Sequence, residues 1–296
     1  MAEGVMLREF YEEFTERNRD FISDRAQEEL SQARILIAGC GSTGGAAVEP
    51  LARLGVQNFV LVDVGEFELN NLNRQHAAFT DIGRHKAEVA ARRVMEINPH
   101  ARVEVVTNGV TADNAQDLVD RCAVVIDGVD VTERPGWRAK YSLHEAAARA
   151  RRPVLTGYDM AGTQYIRFYD YRKPEGRPFD GKITSAMVDQ AMVWSLLFKA
   201  IPVRFIPLEM LRNARDHLGE TDYSVPQLVY ASLQFGALSA RMVAEILAGE
   251  PVRRHVAWDV HRATRRTADR WSAAVQRPFT LLGGVRELAS LARARS

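Results

Sequence analysis

The chain has 296 residues, 46% hydrophobic and 26% charged, which is ample material for a core and excludes a disordered chain. Lys and Arg total 39 against 38 Asp and Glu, so a net charge of +1 gives no general attraction to DNA, RNA or an anionic membrane. Two cysteines, Cys40 and Cys122, exclude a disulfide framework and a four-cysteine zinc site and suit a reducing, cytoplasmic compartment.

The N-terminal stretch "MAEGVMLREFYEEFTERNRDF" is too charged for a signal peptide and reads as an amphipathic helical lead to about Leu30. No run of about 18 apolar residues suggests a membrane span. "RILIAG" (Arg34 to Gly39) has the β-branched, apolar character of a buried strand and ends in glycines. "STGGAAVEPLARLGV" reads as a helix stopped at Gly55, with Pro50 expected to bend it, and "NFVLVD" as a strand ending in Asp63. The alternation continues through a helix "RHKAEVAARRVMEIN", a strand "ARVEVV", a helix near "ADNAQDLVDR", and a strand "AVVID" ending in Asp127. A further helix, "WRAKYSLHEAAARARR", leads to a strand "PVLTGY" and to "TQYIRFYDYR", expected as an antiparallel edge. Such alternation predicts a Rossmann-like, doubly wound α/β fold: a mainly parallel sheet between helices, with an antiparallel extension.

From Arg172 the rhythm breaks into a loop and one or two apolar helical pieces around Pro202 and Pro207. The long helix "SVPQLVYASLQFGALSARMVAEILAG" and a last strand, "RRHVAWDVHR", follow. The expected organisation is an N-terminal helical segment (1–30), a nucleotide-binding core (31–171), a helical insertion (172–223) and a C-terminal part that completes the same domain (224–296).

Three glycines, Gly39, Gly41 and Gly44, stand in G-x-G-x-x-G spacing between the first strand and the first helix, with Asp63 closing the second strand. A backbone that can approach phosphate, a helix N-terminus to attract it and a carboxylate for ribose hydroxyls point to nucleotide binding. The default ligand of such a crevice is a dinucleotide, but "NNLNRQ" (Asn70 to Gln75) lies just beyond Asp63, and Lys86 heads the next helix. Arg74 and Lys86 near one nucleotide suit a polyphosphate that will leave. Asp127 and Asp130 in "IDGVD" add two carboxylates at the same sheet edge, which beside a triphosphate suggests magnesium.

The ordered set in "NRD" (Asn18 to Asp20), "GCGSTGG", "VLVDVGEFELNNLNRQ", "GRHKAEVAARRVMEINPH" and "VVIDGVD" resembles the ThiF/MoeB/HesA-type adenylyltransferases, which include the ubiquitin-activating enzymes. The resemblance covers about Arg17 to Tyr171 and Ser224 to Trp258. It implies that ATP and Mg2+ are bound and that a carboxylate is adenylated with release of pyrophosphate. It further implies that Gly39 and Gly41 border the phosphates, that Asp63 holds the ribose, and that Asn71, Arg74 and Lys86 hold the triphosphate. Asp130 would bind magnesium, and Arg19 would reach into the partner subunit of a homodimer.

Departures from the family pattern matter equally. Ser42 stands where a glycine is usual, and no cysteine follows Cys122, so neither the family's catalytic cysteine nor its CxxC zinc motifs are present. Cys40 between loop glycines is expected as a small packed residue, Cys122 as core, and His76 and His85 as solvated or capping groups. Arginines 149, 151, 152, 262, 265 and 266 are expected at solvated element ends rather than in an RNA-facing patch. The run "MVWSLLF", within Met187 to Phe198, is expected as core or dimer interface, with a substrate groove as the alternative. The expected function is adenylation of the carboxylate of a peptide or ubiquitin-like protein. A small-molecule or tRNA-attached carboxylate is the alternative; an NAD-dependent oxidoreductase or a nucleotide-binding pseudoenzyme is the rival of another class.

Overall fold

The structure is a computed structural model that describes residues 2–217 and 225–294; the expected junction at 223/224 lies outside the described residues. Five parallel strands form the body of the sheet, β1 (Arg34–Ala38), β2 (Asn58–Val62), β3 (Arg102–Val106), β4 (Val124–Asp127) and β5 (Val154–Met160). Antiparallel strands β6 (Thr163–Tyr169) and β7 (His255–Asp259) extend the sheet, in the order β3-β2-β1-β4-β5-β6-β7.

Helices α1 (Ala2–Phe14) and α2 (Asp24–Gln32) lead into β1. The crossovers are α3 (Ser42–Leu54), α4 (Lys86–Ile97), α5 (Ala115–Asp120) and α6 (Arg134–Ala150). Between residues 172 and 217 lie three short helices, α7 (Ser185–Gln190), α8 (Val193–Ala200) and α9 (Leu208–Asp216). The chain continues through α10 (Val229–Ala248), α11 (Val260–Thr264) and α12 (Thr267–Ala294).

Side chains alternate along β1 between two covered faces. Ile35 and Ile37 join the core made with α2, α3, α4 and α10, whereas Leu36 and Ala38 join that made with α5, α6 and the three short helices. Both faces being dry explains why the strand reads as unbroken apolar sequence. No helix among the described residues is long and apolar enough to cross a membrane.

Three sequence expectations need correction or completion. Strand β6 is antiparallel but not the edge, because β7 pairs along it from Thr163 to Arg167 and takes the outer position. The insertion holds three helices rather than one or two, with Pro207 as the N-cap of α9. Helix α12 was not foreseen, because its large apolar residues Trp271, Val275, Phe279 and Leu282 face outward rather than into a core. Polar contacts help hold it: the Arg277 guanidinium donates to the carbonyls of Ile206 and Val203, and Arg212 donates to Gln276.

At the end of β4 the Asp127 carboxylate is fully buried, 2.7 Å from Lys140 Nζ. It also accepts from Thr156 Oγ1 at 2.9 Å and from the Val129 N–H at 3.2 Å. His144 Nε2 stands 2.9 Å away, while Nδ1 of the same ring meets Tyr171 Oη at 2.7 Å. The ionised Asp127 can only accept, so the proton of the neutral imidazole sits on Nε2, and Nδ1 accepts from Tyr171 Oη, which itself accepts from Phe179 N. Burial alone would push the Asp127 carboxyl up; the Lys140 ammonium and the His144 hydrogen bond outweigh it and hold the group well below the usual carboxylate range.

A Lys140→Met protein leaves that charge buried with a neutral histidine and should lose about 3–5 kcal/mol in urea unfolding at pH 7. Adding Asp127→Asn should restore most of it. A carboxyl held below its unfolded value of about 3.9 contributes fully above that pH and loses its contribution as pH falls toward the folded value. Stability of the wild type should therefore decline below about pH 4, and an Asp127→Asn, Lys140→Met protein should show a shallower acid decline.

Candidate active site

From β1 the chain winds outward to β2 and β3, then returns to place β4 on the other side of β1. Loops after β1 and β4 therefore part at the carboxyl edge of the sheet, the position where ligands bind in such folds. A cavity of about 650 Å³ opens there. Gly39, with φ of +84°, lets the two loops touch: a Cβ on it would stand 2.4 Å from the Gly128 carbonyl oxygen. Gly41 lines the cavity with nothing nearer its Cβ direction than Gln75, at 3.7 Å.

Asp63 joins the loops after β1 and β2, accepting from the Cys40 N–H at 2.6 Å and from the Gly65 N–H at 2.7 Å. Beyond it the 3-10 turn Leu69–Asn71 is closed by the buried Asn71 side chain, which accepts from Glu68 N at 3.2 Å and donates to Asn70 Oδ1 at 2.6 Å. That turn presents Arg74, whose Nε donates to Gln227 Oε1 at 2.6 Å and whose Nη1 donates to Asn70 O and Asn73 Oδ1, both at 2.8 Å. Lys86, the first residue of α4, reaches the same cavity, with its ammonium 5.8 Å from the Phe67 ring. Neither cation has a carboxylate within 4 Å among the described residues.

Asp130 lines the cavity from the loop after β4, exposed, with Oδ1 accepting from Thr132 N at 2.9 Å. Asp127 does not join it: the expected pair is split, because Asp127 is consumed by Lys140 and His144 below the cavity floor. Asp130, one of two exposed carboxylates on the lining with Glu133, fits a magnesium ion that takes its other ligands from phosphate oxygens and water.

The structure thus brings together Gly39, Gly41, Asp63, Arg74, Lys86 and Asp130. Gly44, Asn71 and Arg19 do not line the cavity. Gly44 is a packing residue, since a Cβ there would stand 1.9 Å from the Gly39 carbonyl oxygen. Asn71 shapes the turn that carries Arg74. Arg19 is exposed after the 3-10 turn Glu16–Asn18, outside the cavity of its own chain. His76 and His85 lie outside as well, and His85 is the N-cap of α4. Burial, with the nearby Asp63 carboxylate, pushes the Cys40 thiol well up, and burial pushes Cys122 up to about 12.

Other cavity residues carried no sequence motif. Asp159, at the end of β5, accepts from Ser42 Oγ at 2.7 Å and Thr43 Oγ1 at 3.3 Å; burial raises its carboxyl, partly offset by those hydrogen bonds. A polar residue closing a parallel strand was the available signal, the same that marked Asp63 and Asp127. Gln227 left no signal, because its role exists only through Arg74. On the β5 side, Trp194, Leu197 and Phe198 of α8 and Met210, Leu211 and Ala214 of α9 complete the wall.

Residues 15–189, which carry the glycine loop, Arg74, Lys86 and Asp130, match the ThiF family over more than half of the chain. The chain belongs to the ThiF family. It is 37% identical to the tRNA threonylcarbamoyladenosine dehydratase of Escherichia coli K12 over 135 residues, 45% of this chain and 48% of that protein. It is 33% identical over 131 residues to the vegetative HesA protein of Trichormus variabilis, 44% of this chain and 48% of that one. The matched segments thus span about half the length of these curated relatives. Among solved structures, E. coli MccB with MccA-N7isoAsn superposes with a TM-score of 0.59 at 17% identity, over 80% of this chain and 64% of that one. The E. coli dehydratase in complex with ATP superposes with a TM-score of 0.56 at 23% identity, over 80% and 95%. The two superpositions show a common fold.

A Gly44→Ala protein should lose about 1–3 kcal/mol by overpacking, visible as a lowered Tm of the free protein, and the displaced Gly39 carbonyl should weaken ATP binding as well. An unchanged Tm would show that the close contact is not a constraint on the loop.

Proposed function

We propose that this ThiF-family chain adenylates a carboxylate with Mg-ATP and releases pyrophosphate, and that the carboxylate belongs to a peptide or ubiquitin-like protein. The observation that carries this proposal is the pair of cations, Arg74 and Lys86, that face the glycine loop without a carboxylate partner, with Asp130 opposite. A dinucleotide calls for less positive charge, which disfavours an oxidoreductase. The dehydratase solved with ATP and the MccB structure solved with the peptide MccA support the nucleotide and the substrate class respectively. The 37% identity to the tRNA-modifying dehydratase favours, as a second possibility, a small or tRNA-attached carboxylate.

In such a reaction a substrate carboxylate oxygen bonds to the α-phosphorus while the bond to the bridging oxygen breaks, and the pair of electrons leaves with pyrophosphate. No proton must move, so the protein's work is positioning and charge compensation. Arg74 and Lys86 offset the charge that builds on the departing pyrophosphate. Asp63 and the loop glycines fix the nucleoside end. Magnesium held by Asp130 would supply further charge compensation at the phosphates. The 185–216 helices would grip the body of the substrate. A homodimer, with Arg19 delivered to the partner's site, completes the proposal.

Mg-ATP at about a hundred times its dissociation constant should stabilise the protein by roughly 2.7 kcal/mol. NAD should not, and Asp130→Ala should abolish the magnesium-dependent part. Lys86→Ala or Arg74→Ala should lower ATP–pyrophosphate exchange about a hundredfold with an unchanged melting curve of the free protein. Stabilisation by NAD alone would overturn the adenylation proposal. Trp194→Ala with Phe198→Ala should raise the KM for the carboxylate substrate while leaving that for ATP in place; if both rise together, the helices are only structural.

A further inference from the structure

The cavity divides by charge along the sheet edge. Its ionisable lining residues, Asp63, Arg74, Lys86, Asp130, Glu133 and Asp159, come from strand ends, the loops after them or the head of a helix. The lining residues of α8 and α9 carry no charge. Leu197 and Ile201 stand four residues apart on one side of α8 and at its end, and face Ile206, Met210, Leu211 and Ala214 around α9. Ile201, Ile206, Met210 and Leu211 are each less than a tenth exposed and belong to the hydrophobic core around α8 and α9, so the end of the cavity they border is apolar and backed by packed side chains. Its wall is built rather than collapsible, since Arg277 of α12 holds the carbonyls of Val203 and Ile206 and Arg265 pairs with Glu209 on α9.

Topology assigns the two ends. The glycine loop follows β1; Asp63 and Gly109 follow β2 and β3 on one side, and Tyr158 to Met160 close β5 on the other. With the ribose at Asp63, as the adenylation proposal has it, the loops after β1 and β4 and the end of β5 follow along the sheet edge toward the lining residues of α8 and α9. At that boundary Tyr158 Oη is buried and has no hydrogen-bond partner, in a side chain only 6% exposed. A buried hydroxyl without a partner is costly, and a substrate atom would relieve it.

We infer that the α8–α9 compartment is a side-group pocket, and that the substrate is a carboxylate with a bulky apolar group within a few bonds of its carboxyl carbon, with a polar atom beside it that meets Tyr158. This rests on the adenylation proposal. A tail ending in glycine has nothing to fill such a compartment. The apolar group belongs either to the last residue of a peptide or to a free acid, and the chemistry recognised is the same.

The test is ATP–pyrophosphate exchange by the whole chain with Gly-Gly-Gly, Gly-Gly-Leu, Gly-Gly-Phe and Gly-Gly-Lys, beside acetate, hexanoate and phenylpropionate. Apolar-ended substrates should exceed their glycine or acetate counterparts in kcat/KM by roughly ten- to two-hundredfold. The better of the two series names the source. Ala214→Phe, which fills the compartment, should erase the preference without changing the Kd for Mg-ATP, and Met210→Ala should move it toward larger groups. Equal rates for glycine-ended and apolar-ended substrates, or a preference that neither variant moves, overturn the inference. Exchange absent with every carboxylate while Mg-ATP binds would sink the adenylation proposal instead. The compartment is then read by the part of the tryptophan quenching that a Trp194→Phe protein lacks, which hexanoate or Gly-Gly-Leu should cause in the wild type and not in Ala214→Phe; no such quenching in the wild type overturns the pocket as well.

Discussion

The buried Asp127 carboxylate is the constraint on which the site depends. It closes β4, accepts the Val129 N–H and pairs with Lys140, so the loop that carries Asp130 begins from a fixed point. Through His144 and Tyr171 the same charge reaches Phe179, whose ring stacks on the imidazole at 4.1 Å. Phe179 and Asp180 both hold positive φ, 52° and 56°, a conformation that costs non-glycine residues of order 1–3 kcal/mol each. The network and the packing of Phe179 hold that turn in place. The start of the insertion and the loop of Asp130 are thereby referred to one buried charge.

Above this floor the site is organised by which charges are left unpaired. Many arginines among the described residues have carboxylate partners, Arg149 with Glu145, Arg265 with Glu209 and Arg266 with Asp269 among them. Those pairs account for much of what sequence alone offered as an RNA-facing patch. Arg74 is different, for its guanidinium is held by neutral oxygens of Asn70, Asn73 and Gln227, which fix its direction without cancelling its charge. An unpaired cation held by neutral groups is pre-organised for an anionic ligand and needs little reorganisation when charge develops.

The fold was legible because a parallel sheet buried on both faces must write its strands as unbroken apolar runs, and β1, β2 and β4 do so. Legibility failed where tertiary context decides. "TQYIRFYDYR" has the pattern of a strand, but only the return of β7 from ninety residues on makes it interior. Helix α12 turns its aromatic residues outward and is anchored by Arg277, so no core-facing stripe announced it. At the site, spacing identified the residues that meet phosphate chemistry but could not separate those that line the cavity from those that build its frame. Gly44 and Asn71 share their motifs with Gly41 and Arg74, and only geometry shows that one packs the start of α3 against Gly39 and the other closes a turn.

The thiols complete the chemical picture. Cys40 is adjacent to the phosphate-facing glycines, where a helix N-terminus might have made it a nucleophile. Its Sγ lies instead 3.9 Å from the Val62 carbonyl oxygen, under the Asp63 carboxylate, and burial with that negative charge disfavours the thiolate. Cys122 is buried behind β4, its sulfur donating to Leu118 O at 3.2 Å. Neither sulfur can take an acyl group from an adenylate formed in the cavity. On the proposed chemistry, the acceptor that releases AMP is therefore a nucleophile other than these two thiols, and the adenylate must stay bound until that acceptor arrives, which is work that the apolar lining of α8 and α9 is suited to do.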